Sequence, residues 1–129
     1  MAFYWPASAG EWLAWGTAVI TALFGLSMFL IPRLTLGVLH LQTHPKYPEA
    51  VAEARSTIAG FYLGVAISAL LMDQVFLWFA VGLCWGVAAF GRVVSILSDS
   101  GNTLRNWLIF IVQIVLAAAP LAFVFGYVQ

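Results

Sequence analysis

Four stretches of this chain carry no charged side chain: residues 12–32, 56–72, 74–91 and 106–129. A hydrocarbon core about 30 Å thick is crossed by about 20 helical residues, with about 17 as the lower limit. The outer two stretches reach that length outright, and the middle two reach it once their polar flanks dip into the membrane edge. The sequence therefore predicts an all-α integral membrane four-helix bundle, a single domain over 1–129, with spans at 12–32, 54–72, 74–96 and 105–127. Composition removes the soluble alternative. Charged residues are 8% of the chain, against about 25% in soluble domains, and cannot clothe a water-facing surface.

The punctuation between the stretches agrees. Pro32 ends or bends the first helix, and Pro48 suits the opening turn of the second. Asp73 sits in a very short turn, where it is expected to N-cap the third helix. Residues 99–103 form a strong turn signal, and Pro120 is expected to kink the last helix. Leucines at 34, 36, 39 and 41 suggest a short segment lying in the membrane interface between helices one and two.

An even number of spans puts loops one and three on one side. Arg33, Lys46, Arg55, Arg92 and Arg105 all fall in or beside those loops. The positive-inside rule makes that side cytoplasmic, with both termini outside. Residues 1–32 lack Lys and Arg, so the first helix reads as a retained span and not a cleaved signal. Trp5, Trp12, Trp78 and Tyr127 would form an outer aromatic belt, with Tyr47 and Trp107 at the inner one.

The tight turn at Asp73 makes the second and third helices an antiparallel hairpin. Gly60 then comes level with Gly86, and Gly64 with Gly82, and each helix carries a G-x-x-x-G motif. Such motifs let backbones approach closely, so the two pairs are expected to pack the hairpin. The same register sets Glu53 level with Arg92 and suggests an ion pair at the inner membrane edge. Arg92, Ser95 and Asp99 share one helical stripe, while Arg55 lies opposite Glu53. Glu53, Arg55, Arg92, Ser95 and Asp99 form the candidate polar network.

Several functions are disfavoured. A formal net charge of zero offers nucleic acid no attractive field. Cys84 is the single cysteine, which excludes an internal disulfide and reads as a small packed residue. His40 and His44 have helical metal-pair spacing, but Pro45 disfavours helix at His44 and no cysteine completes a ligand set. No catalytic motif and no phosphate-binding glycine loop is present, so no catalytic residue, metal or cofactor is assigned.

The segment 53–64, with Glu53, Arg55, Gly60 and Gly64, followed by 91–99, with Gly91, Arg92, Ser95 and Asp99, resembles a bacterial family known as domain of unknown function 4345. Its members are short four-span proteins. The resemblance implies the bacterial inner membrane and a compact helical bundle, and it implies no reaction. The expected role is that of a structural, interaction or accessory component of a membrane complex, in contact with lipids and self-associating or joined to larger partners. The alternative is a lipid or small-molecule binding or transport protein using a cytoplasm-facing Glu/Arg site. A transport path would need more mid-membrane polarity than Tyr62 and Ser68 provide in the second and third spans.

Overall fold

A computed structural model describes residues 6–127. Trp5 and the last two residues of the predicted fourth run lie outside them. Five helices follow one another: α1 (Ala9–Leu30), α2 (Pro32–Val38), α3 (Glu49–Met72), α4 (Val75–Ser98) and α5 (Leu104–Val124). All but α2 are long and apolar enough to cross a membrane, as expected for a four-helix membrane bundle. At about 1.5 Å per residue, even the 21 residues of α5 cover the hydrocarbon thickness.

Local chemistry explains the boundaries. Ser8 N-caps α1, its side chain accepting from Glu11 N–H at 3.2 Å, while the Glu11 carboxylate accepts from Ala7 N–H at 3.1 Å. This variant of the Ser-x-x-Glu capping box, with the carboxylate reaching one residue beyond the N-cap, starts the helix ahead of the uncharged run. Pro32 stops α1 and occupies the first turn of α2, where its missing N–H costs nothing. Asp73 does not N-cap α4 as expected. Gln74 holds that position without a side-chain bond, and Asp73 instead closes α3 in the left-handed region, φ 49°. Its carboxylate accepts the indole N–H of Trp78 at 2.9 Å, so Trp78 is buried beneath the turn and not spread in an interfacial belt.

Helix α3 contains one π-helical turn, Ala54–Ile58. A π turn inserts one extra residue, which rotates everything before it by about 100° relative to a continuous α-helix. Burial records the shift: Ala54 and Ala59, five apart, are 2% and 0% exposed and share one cluster with Met28 of α1 and Leu36 of α2. Beyond the turn, Ala59, Ala66 and Ala69 continue the buried face.

The spans run up and down. Met28 meets Ala54 and Ala59 at one end, and Ala14 and Ala18 join Ala69, Trp78, Val81, Trp85, Leu116 and Ala117 in the other cluster. Loops one and three therefore lie together, and Arg105 Nη2 bonds to the carbonyl of Val38 across them. The five basic residues share that end, called here the basic end. The tight partnerships are α4 with α5 and α1 with α3, with α1 also packed on α5; α3 and α4, though joined by the shortest turn, touch less.

The expected glycine-packed hairpin is accordingly corrected. A Cβ at Gly82 would stand 2.6 Å from Leu121 Cγ and 3.1 Å from the Ala117 carbonyl, and one at Gly86 would lie 4.0 Å from Ala117 Cβ. Both glycines of α4 thus serve α5. Gly60 and Gly64 have nothing within 4 Å of such an atom. The close approach on α3 is made from the other side, by Gly25 of α1 against Tyr62 and Leu63. Lipid is as apolar as any helix face, so sequence adjacency did not decide the pairing; fit did.

Candidate functional site at the basic end

Arg92 lies on α4, about two turns before its end, and is half-buried. Its Nε donates to Gln113 Oε1 at 3.0 Å and its Nη1 to Asn106 Oδ1 at 2.8 Å, both on α5. Gln113 is a polar residue 8% exposed within an apolar helix, and the guanidinium gives its oxygen a partner. Asn106 is held in turn: its Nδ2 donates to the Gly101 carbonyl at 2.8 Å, and its backbone N–H to the N-cap hydroxyl of Thr103 at 3.2 Å. Gly101 is required by that approach, since a Cβ there would sit 2.8 Å from the Ser95 carbonyl and 2.9 Å from Asn106 Nδ2.

The predicted network is only partly assembled. Ser95 does donate to Asp99, Oγ to Oδ2 at 2.9 Å. The Glu53–Arg92 ion pair is not formed: Glu53 and Arg55 are both exposed, and Arg92 is held by two neutral amides of α5. Packing gives the reason: the Gly60 face that Glu53 was expected to continue is turned away from the bundle, the π turn rotates Glu53 off that line, and α4 turns its inner face towards α5. Gln113 and Asn106 are missing from the expected network because amides carry no charge to draw attention, while Gly101 was expected only as a turn residue. A lone Gln in the middle of an apolar run was the available signal.

Around this hub lies a pocket of about 340 Å³ lined by Leu39, His40, Arg92, Thr103, Arg105 and Asn106 among others. It holds two guanidinium groups and an imidazole and no carboxylate. His40 has φ 61°. It terminates α2 with Leu41 N–H on the Leu36 carbonyl at 2.8 Å and its own N–H on the Gly37 carbonyl at 3.0 Å. This is the Schellman arrangement, in which the left-handed position normally falls to glycine. The end of α5 uses the same pair of bonds with Gly126 there, φ 80°. His44 goes elsewhere, its Nδ1 accepting from Lys46 N–H at 3.2 Å, and no group of three potential metal ligands occurs among the described residues. Cys84, expected in packing, is exposed.

No protein family model matches the chain, and neither the curated proteins nor the solved structures contain a significant match.

Proposed function

We propose that the protein binds the anionic headgroup of a membrane lipid at its basic end. One observation carries this reading: a half-buried guanidinium held by two neutral amides and met by no carboxylate among the described residues. A cation withdrawn from water and left without a counter-ion is costly, and a phosphate supplies both the charge and the acceptors. Arg92 uses only part of its five N–H groups on Gln113 and Asn106, leaving donors for a ligand. Arg105 and His40 add charge and donors around the same pocket. His40 occupies a left-handed position that normally falls to glycine, and there its imidazole lines the pocket. With the basic end cytoplasmic by the positive-inside rule, and with the resemblance to a bacterial four-span family, the ligand is an anionic phospholipid of the bacterial inner membrane.

The test is native mass spectrometry of detergent-solubilised protein titrated with phosphatidylglycerol or phosphatidylcholine. Preferential retention of the anionic lipid is expected, abolished by Arg92→Gln and unchanged by Glu53→Gln. Equal retention of both lipids by the wild type overturns the proposal.

A second reading rests on Gly60 and Gly64. Together with Ser56 they line a shallow groove on the face of α3 turned away from the bundle. Such a face suits close approach by another transmembrane helix, of a second copy or of a larger complex, and supports an interaction or accessory role. Mass measurement in lipid nanodiscs tests it: Gly60→Leu with Gly64→Leu should shift an oligomer to monomer, and a wild-type chain that is already a lone monomer counts against it.

A further inference from the structure

The loose α3/α4 seam holds a second, partly open cavity of about 230 Å³, distinct from the headgroup pocket. Tyr62 and Trp85 form its aromatic walls, Val81 and Ala88 line it from α4, and Thr21 of α1 closes its base. Three of these residues, Thr21, Tyr62 and Trp85, lie near the middle of their helices, well inside the hydrocarbon. Exposed Phe61 and Cys84 stand at the margin, so access is lateral, from the membrane.

The polar groups of the cavity are unequally employed. Trp85 Nε1 donates to Thr21 Oγ1 at 2.9 Å, and Thr21 Oγ1 donates to the Thr17 carbonyl at 2.7 Å. The Tyr62 ring packs against Phe24 at 4.7 Å and Trp85 at 5.7 Å, and its hydroxyl makes no hydrogen bond among the described residues. A hydroxyl in hydrocarbon without an acceptor is unfavourable, and an acyl chain offers none, since ester carbonyls stay at the interface. A dry cavity of roughly 150 Å³ holds benzene, so this one suits a substituted six-membered ring and is too small for a phospholipid.

We infer that the cleft between α3 and α4 binds the ring of a membrane-dissolved quinone beside the tilted rings of Tyr62 and Trp85, with a ring carbonyl accepting from the Tyr62 hydroxyl. The ring partitions from the bilayer through the open seam, and the fit excludes water.

Duroquinone and durene, the same tetramethylated ring with and without carbonyls, separate this from a generic apolar hole. Thermal melting of the detergent-solubilised wild type, followed by far-ultraviolet circular dichroism, should show a saturable upward shift with duroquinone, because a ligand binding only the folded state stabilises it. Durene should require about tenfold more ligand for the same shift, which corresponds to one hydrogen bond of about 1.4 kcal/mol. Tyr62→Phe should erase the difference between the two compounds. Equal shifts from both in the wild type, no shift from either, or a larger shift from a fatty acid each overturn the inference, and none of these depends on a variant folding.

Discussion

Trp85 of α4 and Thr21 of α1 are joined by a hydrogen bond of 2.9 Å between helices that otherwise scarcely meet. The bond spans the diagonal of the bundle, and Thr21 passes the connection on to its own helix through the Thr17 carbonyl. Interhelical bonds of this kind in membranes contribute about 0.6 kcal/mol on average and up to about 1.7. Thr21→Val keeps the shape and removes the acceptor, leaving an indole N–H unsatisfied in an apolar interior. It should destabilise by about 1–2 kcal/mol. Trp85→Phe in the Thr21→Val background should add less than it does alone. A thermodynamic cycle measured by unfolding in mixed micelles checks this, and strict additivity would show the bond to be incidental.

The glycines make opposite predictions on two helices. Gly82→Ala forces Leu121 and the Ala117 backbone aside and should cost about 1–3 kcal/mol, the usual range for overpacking. Leu121→Ala should recover part of that loss by making room. Gly64→Ala meets open space and should be neutral or stabilising by up to about 1 kcal/mol, from helix propensity alone. Matched unfolding curves of the three variants decide the matter.

A third prediction concerns the π turn. Deleting Thr57, an exposed residue of Ala54–Ile58, converts the buried Ala54/Ala59 pair from five apart to four apart, the spacing an α-helix stacks naturally. The chain should fold with stability within about 1 kcal/mol of wild type, a size usual for mild changes. Deleting Phe61, also exposed, at 76%, rotates the buried alanines on either side of it out of step and should abolish folding. Monodispersity on size exclusion and helical circular dichroism provide the readout.

His40→Gly should separate stability from binding. Relieving a left-handed non-glycine residue is worth about 1 kcal/mol, so the melting temperature should rise. Retention of phosphatidylglycerol should fall, because the pocket loses a donor. A variant that is more stable and binds as well as wild type would remove His40 from the site.

The nature of the solvent, the number of spans and the gathering of Arg33, Lys46, Arg55, Arg92 and Arg105 at one end are legible in the sequence. Charge and hydropathy are local properties, and lipid responds to them span by span. The Ser8 and Glu11 cap stands in the sequence but was not read there, and it marks a helix start that the charge count alone sets too late.

Which faces meet was decided only in three dimensions. A helix in water shows its buried face by an apolar stripe, but α1, α3, α4 and α5 are apolar all round, and lipid rewards no face over another. Pairing then turns on shape: a missing Cβ at Gly82 beneath Leu121, a glycine at 25 under Tyr62, one extra residue in the turn Ala54–Ile58. That last insertion moved Glu53 off the helix face that register arithmetic assigned to it, and Arg92 found its partners in two uncharged amides of α5.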